Sequence, residues 1–89
     1  MFANVTRTQV DMTRWEEARS AISDVKAMLR NREGFIRAVW LMPIDGQGLM
    51  ISYWDSQDTA SQAAPPVGFS PGPGVTVTSV ETREVIDET

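Results

Sequence analysis

The chain has 89 residues, a length that suits one domain. It contains neither cysteine nor histidine, which excludes disulfide bonds and zinc sites of the usual His/Cys kind. A net charge of −4 argues against binding to a phosphate backbone, and no apolar run approaches the ~20 residues of a membrane-spanning helix. Because small domains of this kind need staples or a partner, we expect oligomerisation.

The first third of the chain predicts a strand and a helix. "MFANVTRTQV" is rich in Val and Thr and predicts a strand over Phe2–Val10. Thr13 and Glu16 then have the spacing of a capping box, and Gly34 is the expected helix stop. Apolar residues recur between them at three- and four-residue spacing, which predicts one buried stripe of Trp15, Ala18, Ile22, Val25 and Leu29.

Two strands and a turn follow. "FIRAVWLMPI" and "LMISYWD" are typical of strands, and Asp45-Gly46 between them is typical of a hairpin turn. An even-numbered turn would place these side chains on one face: Phe35, Arg37, Val39, Leu41, Met50, Ser52 and Trp54. The opposite face would carry Ile36, Ala38, Trp40, Met42, Leu49, Ile51 and Tyr53, whereas a three-residue loop would change the assignment.

Both faces of this hairpin are mostly apolar. An antiparallel sheet normally exposes one face to water. We therefore expect the helices to cover one face of the sheet and a second copy of the chain to cover the other. Which face meets the helices does not follow from the periodicity.

A short helix and a connector come next. "SQDTASQAA" predicts a short helix capped by Asp55 or Ser56. "PPVGFSPGPG", residues 65–74, is rich in proline and glycine, and we interpret it as an irregular connector. The alternative is a lid over a pocket, with Phe69 as its apolar tip.

The last segment predicts a strand over Val75–Ile86, with a bulge near Ser79 and Val80. The order of elements is then strand, helix, strand, strand, helix, strand. This order predicts a single α+β domain over residues 1–89, a ferredoxin-like βαββαβ fold with a four-stranded antiparallel sheet.

Three stretches share the pattern of one family: "FANVTRTQV", "NREGFIRAVWL" with its Gly-Phe pair, and "GQGLMISYWDSQDTA" with a strand ending in Trp. They resemble the antibiotic biosynthesis monooxygenase-like proteins of the dimeric α+β barrel superfamily. The resemblance implies a homodimer and a pocket between each sheet and its own helices. It also implies a cofactor-independent monooxygenase acting on an aromatic or polyketide-like small molecule. The alternative is a non-catalytic dimeric barrel that binds a small apolar ligand or acts as an interaction module.

The resemblance also implies site residues. Trp54 matches the Trp that lines the pocket of active relatives, and Arg37 and Ser52 share its predicted face. Asn4 is a candidate because an amide on the first strand could hydrogen-bond a substrate oxygen, and Thr6 and Thr8 share its face. We therefore predict Trp54, Arg37, Ser52 and Asn4 at a substrate pocket, and Trp40, Tyr53 and Ile51 at the dimer contact. Packing alone is the alternative for each aromatic residue.

The chain departs from the family's pattern in ways that bear on chemistry. Without histidine it lacks the proximal iron ligand of haem-degrading relatives. In cofactor-free oxygenases the catalytic Trp has an amide partner and a following Tyr, but here Met50 and Ser52 precede Trp54, and Tyr53 is expected on the opposite face. We predict no metal and no cofactor, and we name no catalytic residue.

The remaining expectations concern partners and location. An RNA-binding ferredoxin-like domain needs basic central strands with exposed aromatic residues, and this acidic chain lacks them. We expect no nucleic-acid or membrane partner. The first residues lack the basic start and apolar core of a signal peptide, so we expect a cytoplasmic protein.

Overall fold

A computed structural model describes residues 1–89. Its strands are β1 (Phe2–Val10), β2 (Phe35–Ile44), β3 (Gln47–Trp54) and β4 (Val75–Glu84), and its helices are α1 (Trp15–Ser20), α2 (Ile22–Arg30) and α3 (Gln57–Ala63). The strands form one antiparallel sheet in the order β2-β3-β1-β4, which is the predicted ferredoxin-like arrangement. None of the helices is long and apolar enough to cross a membrane.

The first helical segment begins earlier than predicted. The carboxylate of Asp11 caps a 3-10 turn over Met12–Arg14 and accepts hydrogen bonds from the backbone N–H of Thr13 at 3.1 Å and from its hydroxyl at 2.6 Å. The predicted capping box of Thr13 with Glu16 is therefore wrong, because the Thr13 hydroxyl is used as a donor to Asp11. These hydrogen bonds from Thr13 hold the pKa of Asp11 below its ordinary value.

The start of α3 and the end of α2 are fixed by capping residues close to them in the sequence. Ser56 is the N-cap of α3, and its hydroxyl accepts from the backbone N–H of Thr59 at 3.1 Å in a capping box. The alternative cap, Asp55, accepts instead from the Thr59 hydroxyl at 2.9 Å. Gly34 ends the helical region with φ +82°, a conformation that glycine adopts without a side-chain clash, as predicted.

A bulge shifts the register of the β2–β3 hairpin. The turn at Asp45-Gly46 has two residues, but the ladder pairs beside it are Ile44 with Gln47 and then Leu41 with Leu49. β2 therefore has one residue more than β3 in this interval, next to Pro43. Proline has no N–H to donate to a ladder, which favours a bulge at that position. Ile36 is a second extra residue of β2, and it restores the register at Phe35. The shifted interval of β2 is therefore 37–41.

The shifted register corrects two site predictions. Between the bulges, Arg37 pairs with Tyr53 and Trp40 pairs with Met50. Arg37 therefore lies on the face away from the helices and not beside Trp54, so its assignment to the pocket is wrong. Trp40 lies on the helix-facing side, so its assignment to the dimer contact is also wrong. A one-residue slip moves every side chain of the interval to the other face.

The last strand ends two residues earlier than predicted, at Glu84, and its bulge lies close to the predicted position. The pairing with β1 shifts between Arg7 and Thr8, which leaves Thr78 as the extra residue of β4. The Thr78 hydroxyl donates to the backbone carbonyl of Arg7 at 3.1 Å and so stabilises the bulge.

The sheet face away from the helices, which we call the free face, has an apolar centre. Val5, Ile51 and Val39 are neighbours on it across three strands. Charged groups lie at its rim, where Glu81 accepts from Arg7 at 2.8 Å and from Arg83 at 2.6 Å. The bonds from Arg83 and Arg7 lower the pKa of Glu81.

Candidate functional site

A cavity of about 150 Å³ lies between the helix-facing side of the sheet and the helices. It is apolar, since 17 of its 26 lining residues are hydrophobic. This is a volume at which an apolar cavity holds a benzene-sized molecule. The apolar stripe predicted on the first helical segment lines the cavity from α1 and α2: Trp15, Ala18, Ile22, Val25 and Leu29.

Trp54 lines the cavity and is 1% exposed. Its indole nitrogen donates to the hydroxyl of Ser52 at 2.8 Å, and its ring meets the edge of Phe35 at a centroid distance of 5.4 Å. The N–H of Trp54 is therefore already satisfied and is not offered to a ligand. Because Ser52 accepts this bond, its own hydroxyl hydrogen remains available as a donor.

Asn4 joins three elements beneath the same cavity and is also 1% exposed. Its amide nitrogen donates to the carbonyl of Ala60 in α3 at 2.8 Å, and its oxygen accepts from the hydroxyl of Thr82 in β4 at 2.7 Å. The Ala60 carbonyl lies in the last turn of α3, where helical carbonyls lack partners within the helix. Asn4 thus holds α3 and β4 to β1, and we call this arrangement the clamp. The second hydrogen of its amide group is not used in these bonds and can be donated to another partner.

Two hydroxyls on β1 have no protein partner. Thr6 and Thr8 line the cavity on the same face as Asn4, and no side-chain hydrogen bond involves either of them. The Thr6 side chain is 5% exposed, yet no enclosed polar atom of the protein lacks a partner. The Thr6 hydroxyl must therefore touch the open space of the cavity.

The proline-rich connector covers part of the cavity. Pro65, Phe69 and Pro71 line it. The connector is held to β4, because the N–H of Gly68 donates to the carbonyl of Val77 and the N–H of Val77 donates to the carbonyl of Phe69, both at 2.8 Å. It is an ordered wall of the cavity, and Phe69 is 45% exposed beside it.

The cavity contains no charged side chain among its lining residues. The two carboxyl groups whose pKa is lowered, Asp11 and Glu81, lie outside it. No group of three His, Cys, Asp or Glu side chains is placed to hold a metal ion. The chemistry that the site offers is therefore hydrogen bonding by hydroxyl and amide groups within an apolar, partly open cavity.

The structure brings together Trp54, Ser52 and Asn4 of the four predicted pocket residues, and places Arg37 on the free face with its guanidinium 4.7 Å from the ring centre of Tyr53. Tyr53 and Ile51 both lie on the free face. Trp40 lines the cavity unpredicted, and the signal that could have placed it is the proline at position 43.

Comparison with known proteins gives the fold. No protein-family model matches the chain, and no curated protein sequence gives a significant match. The heme-degrading protein MhuD of Mycobacterium tuberculosis, in a haem-free form with cleaved protein, has a TM-score of 0.72 at 15% identity, with 99% of this chain and 96% of that chain covered. MhuD with two haems bound in its active site gives 0.70 at 16% identity, covering 100% and 99%. A mutant of MhuD with two manganese protoporphyrin IX molecules per active site gives 0.70 at 17%, covering 100% and 98%.

These neighbours belong to the antibiotic biosynthesis monooxygenase group of dimeric α+β barrels. The resemblance stated from the sequence is thus confirmed at the level of the fold. At sequence identities of 15% to 17%, the comparison establishes the fold alone.

The residues of this cavity do not fit haem. Haem iron is usually held by His, Cys, Tyr or Met, and the lining offers only the thioethers of Met28 and Met50. No Arg or Lys lines the cavity to receive the two propionate groups of the macrocycle. A porphyrin is also several times larger than the benzene-sized molecule that a cavity of about 150 Å³ holds.

Proposed function

We propose that this chain is a monooxygenase-like protein that binds an aromatic or polyketide-like small molecule in the cavity and oxidises it without a metal or flavin. One observation carries the proposal. A partly open apolar cavity is lined by the buried Trp54 and by Ser52, whose hydroxyl accepts from the Trp54 indole N–H and keeps its own hydrogen as a donor. The fold shared with heme-degrading proteins supports oxygen chemistry as the activity.

In the proposed reaction the substrate supplies its own electrons as a carbanion. One atom of O2 enters the substrate and the other leaves as water, so that a methylene group and O2 become a carbonyl group and water. The hydroxyls of Ser52 and Thr6 would donate to the oxyanion that forms on the substrate, since both are free donors. No lining side chain is a base, so the proton passes to water at the cavity opening.

Oxygen uptake with phenylacetone, a one-ring ketone whose benzylic methylene is its most acidic carbon and whose size suits the cavity, tests the proposal. We expect protein-dependent uptake that falls about tenfold or more in Trp54→Phe, because a small change in substrate position costs a large part of the rate. Thr76→Val, an exposed residue of β4 away from the cavity, is the matched control and should keep the parent rate. Uptake equal to that of a protein-free blank would contradict the proposal.

A second function has its own supporting observation. The cavity has no titratable group, so a non-catalytic protein that binds a small apolar ligand needs nothing that the chain lacks. This function predicts quenching of tryptophan fluorescence by aromatic phenols without oxygen uptake. The two measurements together separate an oxygenase from a binding protein.

We also propose that the chain is a homodimer in the cytoplasm. The apolar centre of the free face has no covering element in the chain itself, and its rim carries complementary charges on Arg7 and Glu81. Ile51 and Tyr53 would lie in the contact. The absence of cysteine suits a reducing compartment.

A further inference from the structure

We infer that the cavity selects uncharged ligands, which it recognises through the hydroxyls of Thr6 and Ser52, and that it rejects haem and other carboxylates. The inference rests on the proposed function, because it concerns the same cavity, and it narrows the ligand to one charge class. It also separates this chain from the haem-binding proteins whose fold it shares.

The first support is the charge of the lining. None of the cavity's side chains carries a charge at neutral pH. A carboxylate that enters such a space loses its hydration and finds no cation, and burying an unpaired charge is far more costly than burying a hydroxyl or a carbonyl. An uncharged phenol, ketone or ester loses much less.

The second support is the unpaired hydroxyl of Thr6. Buried polar groups are almost always hydrogen-bonded, so a hydroxyl on a 5% exposed side chain without a protein partner marks the place of a ligand or water oxygen. Ser52 lies diagonally from Thr6 on the neighbouring strand, because Thr6 pairs with Met50 and Asn4 pairs with Ser52. Both hydroxyls can therefore contact the same bound molecule.

The experiment uses the cavity's own tryptophans. All three tryptophans of the chain, Trp15, Trp40 and Trp54, line the cavity, so a bound aromatic ligand quenches their emission. The probes are benzoate and its methyl ester, which share one benzene ring and a carbonyl group, match the size of the cavity and differ in charge at neutral pH. Haemin is the third probe. We expect the ester to bind at least about tenfold more tightly than the acid, and haemin to show no saturable binding at one equivalent per chain.

Thr6→Val removes the hydroxyl and keeps the side-chain shape. We expect it to weaken ester binding about fivefold, the effect of one lost hydrogen bond. Thr6→Ser keeps the hydroxyl and should bind like the parent, and this variant also shows whether the position tolerates change. Thr76→Val is the control for a lost threonine hydroxyl outside the cavity.

Equal binding of acid and ester, or stoichiometric binding of haemin, would overturn the inference. So would ester binding by folded Thr6→Val and Thr6→Ser at the parent affinity, since the hydroxyl would then be irrelevant. Failure of the proposed oxygenase activity has a different signature. In that case phenylacetone causes no oxygen uptake, while the preference for the ester over the acid persists.

Discussion

Trp54 and Trp40 line the same cavity but differ in their hydrogen bonds. The Trp54 indole is bonded to Ser52, whereas no hydrogen bond involves the indole of Trp40. We expect Trp54→Phe to lower the free energy of unfolding by about 1–3 kcal/mol, from a lost hydrogen bond and a void beside Phe35. Urea denaturation measures the change, with Trp40→Phe as the control. A larger loss in Trp40→Phe would contradict this account of the buried tryptophan.

Asn4 connects α3 and β4 to the central strand β1 through a buried hydrogen bond to Ala60 and a partly buried one from Thr82. Asn4→Ala leaves the Ala60 carbonyl without a partner, so we expect a loss of about 2–3 kcal/mol in the free energy of unfolding. Hydrogen exchange in the last turn of α3 should accelerate as well. Asn31→Ala is the control, because Asn31 also bonds to a helix carbonyl, that of Ala27, but at an exposed position. Equal losses in the two variants would show that the clamp has no special role.

At the scale of elements, the Asp11 cap of the first helical turn makes the stability of the protein depend on pH in the acidic range. The pKa of Asp11 is lowered from 3.8 by the bonds from Thr13, so its contribution is present above that value and is lost as the pH falls through the lowered pKa. We expect the melting temperature to decline below about pH 4, and to decline less steeply in Asp11→Asn, which keeps a capping side chain without a carboxylate. Parallel curves for parent and variant would contradict the assignment.

The elements themselves could be predicted from the sequence, but one register could not. The bounds of β1 and β2 follow the predicted ones, and the stripe on α1 and α2 lines the cavity as its periodicity indicated. The predicted faces of β2 side chains are wrong between its two bulges. The prediction assigned faces by counting residues from the turn, which assumes that every β2 residue pairs with one β3 residue. Arg37 and Trp40 lie in that interval and were therefore placed on the wrong faces. A proline inside a strand indicates a bulge, so side-chain faces near Pro43 cannot be assigned by simple alternation.

The site is less predictable than the fold, for a related reason. Asn4, Ser52 and Trp54 lie on the predicted face because they belong to β1 and β3, outside the shifted interval of β2, and their role in a substrate pocket stays a prediction. The free hydroxyl of Thr6 depends on which neighbours fail to reach it, and this is a property of the assembled tertiary structure. No pattern in the chain reports an unused hydrogen-bond donor.

At the scale of the whole molecule, we expect a particle of about twice the 9.9 kDa of one chain by light scattering. Ile51→Glu places a charge at the centre of the free face, next to Val5 and Val39, and should yield monomers because the contact would bury an unpaired carboxylate. Ile86→Glu is the control, since Ile86 is 95% exposed near the C-terminus. A monomeric parent protein would refute the proposed dimer.

The central position of β1 has a consequence for biosynthesis. β1 is synthesised first, yet its partners are β3 and β4, and the pair Phe2–Glu84 joins the two ends of the fold. A nascent chain on the ribosome cannot complete the sheet until Glu84 has left the exit tunnel. Loops of this length close slowly, so the first strand waits with its polar backbone unpaired on one side. We therefore expect stalled chains that end before β4 to depend on chaperones, and the sheet to form late, in one cooperative step after synthesis.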